Sequence, residues 1–541
     1  MTQTFDYIVV GGGSAGSVVA SRLSEQADVR VLLLEAGGTN KDFRVFMPGA
    51  TALLFGNPTF DWGYYTEPQK ALDNRRIYWP RGRGLGGSSA INGMVYIRGN
   101  ARDYDQWRQL GLEGWAYEDV LPYFKRAECR ATGGNFYRGD AGPLLTRPSS
   151  PEAIDRVFLA ACQQWGLRVN HDFNGETQAG VGLYDETIGK GKRSSVARCF
   201  LAQASRRPNL DIKTGASVRQ LIFEGPRAIG VAYRHLGRLE KVRAEREIIV
   251  CQGAIGSPQL LMLSGIGPGE HLREFGIDVV ADLPGVGQNL QDHLNVPVKY
   301  LCTDVNATRA RWARPHGKIW VGLSYLLSGG CAGPGSRGFL SSGAFLGGEH
   351  DYPAMQLFLT PMLLEEDPEK SRKIPKNGFQ LDVNQMHPTS RGTVKLKSRC
   401  PDDHPIIDPG YLTTADDCSE LIEAVKIARE VAGQAAFEAL RGSELSPGPG
   451  VVSDEDILSH VAKEANSGYH PSCTCKMGLD NDPMAVVDAS LRVHGIEGLR
   501  VVDASVMPNI VTGNTNAPTV MIAEKASDLI RGFPSLARHN Q

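Results

Sequence analysis

The first 35 residues constrain the fold of this chain more than any other segment, because glycines stand there at fixed positions between two apolar runs. Residues 7–10 form a short, β-rich run, and Gly-Gly-Gly-Ser-Ala-Gly follows directly at 11–16. A helical stretch to about Glu25 and a second apolar run at 29–34 complete the segment. This order predicts a strand, a tight turn, a helix and a second strand.

Gly11, Gly13 and Gly16 match the G-x-G-x-x-G spacing of dinucleotide-binding turns, and Glu35 lies 19 residues beyond Gly16. In such turns a pyrophosphate is held at the helix N-terminus, here residues 14–16, by backbone N–H groups and the helix dipole. An acid at the distance of Glu35 can accept hydrogen bonds from both hydroxyls of an adenosine ribose. The segment therefore predicts a dinucleotide site, without separating NAD from FAD.

A second glycine cluster lies at residues 81–92, with the sequence Arg-Gly-Arg-Gly-Leu-Gly-Gly-Ser-Ser-Ala-Ile-Asn. Its glycines lose conformational entropy wherever they are ordered, so the segment predicts neither a stable strand nor a stable helix. It runs into the apolar residues 94–97, which we expect to be buried. A loop anchored in this way fits a backbone pressed against a flat or anionic ligand better than a surface linker.

The middle of the chain contains a group of short β-like runs and then a helix. Residues 209–250 predict a small meander and a strand that returns to the nucleotide-binding unit. Residues 253–267 predict a helix with Pro258 near its start and Gly265 near its end.

The region from about 293 to 460 has few glycine turns of the nucleotide-binding kind, and we interpret it as the substrate domain. Its strand-like runs predict a mostly antiparallel sheet, and they lie at 355–359, 380–383 and 393–396. Residues 309–328 interleave basic residues with tryptophan and leucine. Such a helix can lie on a membrane, but a half-solvated surface helix or lid is the commoner case and is our interpretation here.

The C-terminal third again carries readable signals. Tyr-His-Pro at 469–471 precedes a C-x-C pair, and a strand at 499–502 ends at Asp503. Residues 513–519 open an apolar helix, with Thr515 or Asn516 as N-cap and Pro518 in or near its first turn. The N-terminus of that helix is a place to hold negative charge.

Composition excludes several classes of protein. The chain has 541 residues, and its 58 Lys+Arg against 60 Asp+Glu leave a formal charge of −2, so no global field attracts nucleic acid. The ten cysteines are scattered without a C-x-x-C motif, which indicates reduced thiols. Neither a secretory signal nor an apolar stretch of membrane-spanning length is found. We therefore expect a cytoplasmic protein, with membrane contact at most peripheral, on the inner face.

The glycine fingerprint, the loop at 82–92 and the segment 253–267 together resemble the glucose–methanol–choline (GMC) oxidoreductases, and the loop is followed by the family's Tyr96, Gly99 and Asp105. The resemblance extends from residue 5 to about 533 and is closest to the bacterial choline-dehydrogenase-like branch. It implies FAD-dependent alcohol oxidation. It also implies an α/β plus α+β fold, in which a Rossmann-like FAD-binding domain accompanies a discontinuous substrate domain built on an antiparallel sheet. The expected FAD-binding parts are 1–155, 196–292 and 460–541, and the expected substrate parts are 156–195 and 293–459.

The resemblance assigns the catalytic pair to His470, as the base, and Asn514, which would orient the substrate hydroxyl. Imidazole suits the task because its ordinary pKa is near neutrality. The helix after Asn514 would stabilise the negative charge of reduced flavin. The full set of expected cofactor contacts is Gly11, Gly13, Ser14, Ala15, Gly16, Glu35, Ala36, Arg83, Gly86, Gly87, Ser88, Asn92, Gly93, Met94, Val95, Val218, Asp503, Ala504, Asn516, Pro518 and Thr519.

Two departures from the family pattern narrow the expected mode of FAD binding and the expected substrate. The position at which some choline-oxidising relatives attach FAD covalently through histidine is Ile91 here, which indicates non-covalent FAD. Choline-specific relatives carry a glutamate where this chain has Asn295, so a desolvated quaternary cation lacks its charge partner and we expect a neutral alcohol. We interpret His293 and His387 as structural, and Cys473 and Cys475 as buried structural thiols rather than metal ligands.

Several alternatives stay open at this stage. We expect a quinone or other carrier to reoxidise the flavin, but oxygen-using oxidases share these motifs, and choline remains an alternative substrate. A flavin-containing hydroxynitrile lyase is the alternative from another class, and a NAD-dependent reductase is a third. Linear primary alcohols, polyols, polyethers and aromatic alcohols are not distinguished by the motifs, and the oligomeric state, including a homodimer, is left open.

Overall fold

The predicted strand, turn, helix and strand are confirmed at the N-terminus. The computed structural model describes residues 3–349, 351–367 and 372–538. The strand Thr4–Val10 leads through the glycine turn into the helix Ser14–Leu23, and the strand Val31–Glu35 follows. The two strands pair in parallel, and four of the seven residues of the first are fully buried in succession, as expected of a strand covered on both faces.

These strands form the centre of a mixed seven-stranded sheet. Two distant segments, Leu210–Thr214 and Leu499–Val501, add parallel strands to it. The remaining strands form an antiparallel meander at one edge of the sheet. In spatial order its strands are Leu210–Thr214, Val31–Glu35, Thr4–Val10, Arg238–Val250, Arg227–His235 and Ala216–Glu224, and Leu499–Val501 also pairs with Arg238–Val250. The predicted meander and its long returning strand are therefore confirmed, since Arg238–Val250 pairs in parallel with Thr4–Val10.

A second seven-stranded sheet is antiparallel throughout. In spatial order its strands are Arg441–Ser446, Leu294–Cys302, Gly378–Gln385, Met355–Thr360, Ser342–Leu346 and Gly180–Leu183, and Asn466–Ser467 also pairs with Leu294–Cys302. The antiparallel sheet expected from residues 355–359 and 380–383 is confirmed. The run at 393–396 does not join it, because among the described residues Thr393–Lys395 pairs with Ile406–Asp408 in a separate two-stranded sheet.

Helices cover the two sheets and join them. Those of eight residues or more are Ser14–Leu23, Ala101–Gln109, Tyr117–Ala127, Ala153–Trp165, Gly253–Leu263, Pro315–Leu327, Ala415–Gly433, Asp454–Glu464 and Asn516–Arg531. The shorter helices are Phe43–Phe46, Ala202–Ala204, Gly269–Glu274 and Ala310–Ala313, with a π-helical turn at Ala197–Leu201. The segment predicted as one helix at 309–328 is thus two, because Pro315 begins the second and lacks the N–H that would continue the first. No helix among the described residues has the length and apolarity to cross a membrane.

The remaining strands and turns are short. The small strands are Tyr64–Tyr65, Tyr78–Trp79, Val95–Tyr96, Glu128–Arg130, Leu144–Pro148, Asp185–Glu186, Ile188–Gly189, Lys192–Arg193, Ile266–Gly267, Ala281–Asp282, Leu363–Asp367 and Arg372–Lys376. Turns of 3₁₀ helix lie at Pro48–Leu53, Lys70–Leu72, Gly87–Ala90, Pro334–Ser336, Ala435–Phe437 and Ala504–Val506. The second glycine loop, predicted to contain no helix, therefore includes a single 3₁₀ turn at Gly87–Ala90, which is short enough to tolerate its residues.

The helix Asn516–Arg531, called the C-terminal helix below, returns to the N-terminal unit. It packs against Ser14–Leu23, and the fully buried carboxylate of Glu524 forms ion pairs with Arg22 and Arg126 at 2.8 and 2.7 Å. Two arginines around one buried carboxylate offset much of its desolvation. This packing fixes the start of the C-terminal helix beside the first glycine turn.

Candidate functional site

A cavity of about 1850 Å³ is lined by residues of both large sheets. The two glycine loops and the first turn of the C-terminal helix contribute to its wall, as do the strands Leu294–Cys302 and Gly378–Gln385. Of the residues expected from sequence, those that line it are Gly11, Gly13, Ser14, Ala15, Glu35, Ala36, Arg83, Gly87, Ser88, Asn92, Gly93, Met94, Val95, Val218, His470, Asp503, Ala504, Asn514, Asn516 and Thr519.

Three expected cofactor contacts, Gly16, Gly86 and Pro518, are not part of the cavity wall. A Cβ on Gly16 would lie 1.8 Å from the carbonyl oxygen of Gly11, so this glycine permits close packing of the helix on the strand. The N–H of Gly86 donates to the carbonyl of Gly12 at 2.7 Å, which joins the two glycine loops. Pro518 lies within the first turn of the C-terminal helix.

Gly13 differs from its neighbours in what surrounds it. Gly11 has φ +101° and its Cβ would lie 2.6 Å from the carbonyl oxygen of Cys251, so the fold itself requires glycine there. Around Gly13 the nearest atoms to a Cβ are 3.9 and 4.0 Å away, and around Gly93 nothing lies within 4 Å. The open space at these two cavity-lining glycines leaves room for a flat or extended ligand against the backbone.

Glu35 already accepts three backbone hydrogen bonds. Its Oε2 accepts from the N–H of Gly12 at 2.8 Å, and its Oε1 accepts from Gly37 and Gly84 at 2.7 and 2.9 Å. The carboxylate therefore ties the first glycine turn to the second glycine loop. Each carboxylate oxygen has two lone pairs, so Oε2 keeps capacity for a further donor such as a ribose hydroxyl.

The first turn of the C-terminal helix presents donors to the cavity. Thr515 is its N-cap and makes no capping side-chain hydrogen bond to the turn, and Thr515, Asn516 and Thr519 line the cavity. Ser14 Oγ donates to Asn516 Oδ1 at 2.9 Å, which holds this helix start against the glycine turn. Two helix N-termini thus converge on one cavity, an arrangement that favours bound negative charge. The donors, the open glycines and the cavity size fit a dinucleotide such as FAD.

His470, Asn514 and His293 form a hydrogen-bonded row. His470 Nε2 lies 3.0 Å from Asn514 Nδ2, and His470 Nδ1 lies 2.9 Å from His293 Nδ1. Asn514 stands two residues before the C-terminal helix, and His293 directly precedes the strand Leu294–Cys302 of the antiparallel sheet. The row therefore sits where the two sheets meet, and Asn514 Oδ1 is buried without a hydrogen-bond partner among the described residues.

His293 is the member that sequence reasoning missed. The sequence favours a structural role for it, and the structure places it fully buried and in direct contact with His470. The two histidines are 177 residues apart, and no local spacing relates them. His387 has no such contact: its Nε2 lies 2.9 Å from the carbonyl oxygen of Pro353.

Asp292 holds the backbone of the His470 segment. Its Oδ1 accepts from the N–H of His470 at 2.7 Å, and its Oδ2 accepts from Ser467 Oγ at 2.5 Å and from the Tyr411 hydroxyl. Tyr469 has φ +65°, a left-handed conformation that a bulky residue adopts only when its surroundings impose it. Arg81 contributes to those surroundings by donating to the Tyr469 carbonyl at 2.6 Å.

The site keeps both histidines neutral. Burial, together with the positive charge of Arg81, lowers the pKa of His470 to about 3. Burial and the neighbouring His470 lower the pKa of His293 well below its ordinary value, although the backbone carbonyls of Met386 and Val511 partly oppose this. A neutral imidazole with a lone pair available is the form that can accept a proton.

Cys473 and Cys475 are both fully buried free thiols. Burial raises the pKa of Cys473 to about 12 and that of Cys475 further, so neither is a thiolate at neutral pH. Among the residues that the structure describes, no group of three or more His, Cys, Asp or Glu side chains is arranged to hold a metal ion.

Comparison with known proteins identifies the family. Residues 5–295 match the N-terminal family model and residues 388–523 the C-terminal family model of the GMC oxidoreductases. The chain is 45% identical to "Choline dehydrogenase, mitochondrial" of Mus musculus over 546 residues, which cover 99% of this chain and 91% of that protein. It is 47% identical to "Oxygen-dependent choline dehydrogenase" of Burkholderia lata over 549 residues, which cover 99% and 95%.

The fold agrees with solved structures of the same kind. The crystal structure of pyridoxine 4-oxidase from Mesorbium loti superposes with a TM-score of 0.87 at 32% identity, covering 98% of this chain and 100% of that one. Formate oxidase of Aspergillus oryzae superposes with a TM-score of 0.89 at 26% identity, covering 98% of each chain. The expected Rossmann-like FAD-binding fold and the FAD cofactor are confirmed. The chain belongs to the GMC oxidoreductase family and is an FAD-dependent oxidoreductase that acts on an alcohol.

Proposed function

We propose that this enzyme oxidises a neutral primary alcohol to the aldehyde, with His470 as the base and Asn514 as the group that positions the hydroxyl. The observation that carries the proposal is the contact between Asn514 Nδ2 and the Nε2 of a neutral, buried His470 at the edge of the cavity. Bound FAD supplies the hydride acceptor, N5 of its ring system. The proton of the hydroxyl passes to His470 Nε2, and the alcohol oxygen accepts from Asn514 Nδ2.

His293 acts in this scheme as a positioning residue. If His470 Nε2 is to accept the substrate proton, its other nitrogen must carry the ring proton and donate it to His293 Nδ1. The ring proton of His293 is then on Nε2, which is buried without a hydrogen-bond partner among the described residues. Asn514 Nδ2 can only donate, so its contact with His470 Nε2, together with Nδ1 of His293 as acceptor, favours the tautomer in which the catalytic nitrogen carries a lone pair.

We further propose that FAD is bound non-covalently. Residue 91, where some relatives place a linking histidine, is a buried isoleucine in the cavity wall and offers no nucleophile. The glycine loops, the two helix N-termini and Glu35 supply polar contacts along the whole nucleotide-binding part of the wall. Denaturation should release the flavin into the supernatant, whereas a flavin that stays with the precipitated chain would contradict this.

The part of the wall formed by the antiparallel sheet supports a neutral substrate. It is lined by the amides of Asn295, Gln356, Gln380 and Asn384, and Asn384 Oδ1 has no hydrogen-bond partner among the described residues. The one carboxylate of these strands on the wall, Asp382, already accepts from Thr360 and twice from Gln380. Burial raises the pKa of Asp382 to about 6, so it is ionised at neutral pH, but the nearby Lys299 offsets its charge. Amides of this kind recognise hydroxyl or ether oxygens rather than a cation.

Positive charge near the base also disfavours a cationic substrate. Arg81 lines the cavity and is close enough to lower the pKa of His470. Lys299, also on the wall, is paired with Glu464 at 2.5 Å, so that acid is not free to pair with a ligand. A quaternary ammonium group entering here would lose its hydration without a free carboxylate to replace it.

Choline is the second candidate, and the names of the curated relatives favour it. Anaerobic mixing of the holoenzyme with choline and with dimethylbutanol, its neutral isostere in which carbon replaces the nitrogen, separates the two. We expect the flavin to bleach faster with the neutral isostere. A tenfold or greater preference for choline would assign the second candidate.

The same anaerobic experiment tests the reaction class and the acceptor. Cyanide release from mandelonitrile without any bleaching would contradict alcohol oxidation and indicate a lyase.

We propose a quinone or another carrier as the acceptor, so mixing the reduced enzyme with oxygen should give slow reoxidation. Fast reoxidation with stoichiometric peroxide would assign an oxidase instead.

A further inference from the structure

The helix Pro315–Leu327, called the exposed helix below, leaves its apolar residues in solvent. Of its 13 residues only Gly317 is buried. Its exposed side chains include Leu326 at 74% and Leu327 at 87% of full exposure. Three more are at least half exposed, and they are Ile319, Trp320 and Leu323. A helix at the surface of a globular protein normally turns such residues inward, so this inverted pattern indicates a partner.

These five side chains lie on one face. At about 100° per residue, Ile319, Trp320, Leu323, Leu326 and Leu327 fall within an arc of roughly 120°. The opposite face of the helix is held by the protein. There the Tyr325 hydroxyl donates to the carbonyl of Gly191 at 3.1 Å, and a Cβ on Gly333 would lie 2.8 Å from Ser324 Oγ. The helix is therefore anchored with its apolar face outward.

The chain segment that contains the exposed helix is basic. Between Asp304 and Glu349 the chain has no acidic residue and five basic ones, which are Arg309, Arg311, Arg314, Lys318 and Arg337. Arg309 and Arg337 both pair with Glu152. In the part of the chain that the structure describes, Arg311, Arg314 and Lys318 take part in no ion pair, so their charge is available to an anionic surface.

The apolar exposure continues from this helix toward the cavity. The turn Pro334–Ser336 packs both against the exposed helix and against the turn Pro48–Leu53. Leu53 in the second turn is 54% exposed, and Phe55 just after it is partly exposed and lines the cavity. An apolar medium that covers the exposed helix would thus also reach the neighbourhood of the cavity wall.

We propose that the exposed helix is a docking surface for an anionic lipid bilayer. Its leucines, Ile319 and Trp320 would enter the interface while Arg311, Arg314 and Lys318 contact lipid phosphates, as basic amphipathic helices do. A second protein chain would need only the apolar face, whereas the unpaired basic residues at the start of the helix match a negatively charged membrane. This inference does not depend on which alcohol the enzyme oxidises.

Sedimentation of the full-length holoenzyme with vesicles tests the proposal. We expect binding to phosphatidylcholine vesicles that contain phosphatidylglycerol, weaker binding to pure phosphatidylcholine, and a loss of the difference at high salt. The double variant Leu326→Glu/Leu327→Glu should reduce binding on the order of tenfold or more, because it places two charges in the inserted face. The variant Arg314→Gln/Lys318→Gln should lose only the preference for the anionic vesicles.

The matched control is Leu239→Glu/Val452→Glu, which changes two exposed apolar residues that are not part of the cavity wall, Leu239 in the strand Arg238–Val250 and Val452 before the helix Asp454–Glu464. This control should sediment with vesicles like the wild type. All variants should keep their flavin and their activity with a soluble dye acceptor, which shows that they are folded. Wild-type protein that stays in the supernatant with anionic vesicles would overturn the proposal. A second result would also overturn it. If sedimentation velocity shows a dimer that dissociates in Leu326→Glu/Leu327→Glu and in no other variant, the apolar face is covered by a second copy of the chain.

Discussion

The Nδ1 atoms of His293 and His470 lie 2.9 Å apart, each in a ring that burial keeps uncharged. A hydrogen bond between two neutral imidazoles needs one donor and one acceptor, so the tautomers of the two rings are linked. With Asn514 at the far nitrogen of His470, the pair defines which nitrogen is available to a substrate. The role of His293 follows from this link rather than from contact with the substrate.

His293→Gln should slow anaerobic flavin reduction by on the order of 10²-fold, because His470 loses the acceptor that fixes its tautomer and orientation. His293→Asn should recover part of the rate if its amide oxygen takes the place of Nδ1. His460→Gln is the matched control, since His460 is also buried and its Nε2 lies 3.2 Å from the Pro297 carbonyl oxygen. Equal rates for His293→Gln and the control would remove His293 from the mechanism.

The low pKa of His470 predicts an unusual pH profile. Because this pKa is about 3, His470 should stay deprotonated and kcat/KM should show no loss from its protonation down to about pH 5. Arg81→Met removes the nearby charge and should move the acid limb to higher pH. Arg83→Met also removes a cavity-wall charge, but Arg83 does not shift the pKa of His470, so the limb should not move. An acid limb near pH 6.5 in the wild type would contradict the buried neutral base.

The same histidines should make unfolding pH-dependent. Their folded-state pKa values are depressed, so below about pH 6.5 the unfolded chain binds protons that the folded chain does not. The free energy of unfolding should therefore fall as the pH drops below 6.5, by up to about 1.4 kcal/mol per pH unit for each histidine. In denaturant titrations of the apoprotein, His293→Gln should show a shallower fall than the wild type. Parallel curves for the two proteins would show that His293 is not the titrating group.

Two glycines of the first turn should respond differently to alanine. In Gly16→Ala the new Cβ would lie 1.8 Å from the Gly11 carbonyl, so we expect loss of folded protein. In Gly13→Ala the nearest atom is 3.9 Å away, so the protein should fold but bind FAD more weakly. Gly38→Ala, with open space around its Cβ, is the control for both. Circular dichroism and flavin content measure the two effects, and a Gly13→Ala protein with full flavin would contradict the close approach.

The preference of the enzyme for a neutral or a cationic substrate should depend on residue 295. Asn295→Glu adds a carboxylate to the cavity wall and should raise kcat/KM for choline relative to its neutral isostere by roughly tenfold or more. Asn295→Gln keeps the amide and controls for side-chain length. If both variants change the preference for choline equally, then the size of the side chain at position 295 determines that preference, and its charge does not.

Local signals explain why the nucleotide-binding half of the fold was predictable. The glycine spacing, the acid at Glu35 and the strand runs at 209–250 are each contained in a short stretch of chain, and the corresponding elements formed as expected. The run at 393–396 has the same β-rich composition as the strands of the antiparallel sheet. Which sheet it joins depends on partners elsewhere in the chain, and Thr393–Lys395 pairs with Ile406–Asp408 instead.

The same difference between local signals and long-range contacts applies to the site. The resemblance assigns roles to His470 and Asn514, and their side chains are in contact although 44 residues separate them in sequence. His293 and Arg81 gave no such signal, because their importance comes from distances to a residue far away in sequence. The exposed face of Pro315–Leu327 was likewise unpredictable, since the sequence pattern of an amphipathic helix is the same whether its apolar face points inward or outward.

The central claim is that His470 removes the hydroxyl proton as the alcohol is oxidised, and anaerobic stopped-flow measurement of flavin bleaching tests it most directly. His470→Ala should retain FAD and lower the rate of bleaching by a primary alcohol by roughly 10²- to 10⁴-fold, with the loss smaller at high pH, where the alcohol is more readily deprotonated. A variant that holds its flavin and bleaches at the wild-type rate would contradict the assignment of the base.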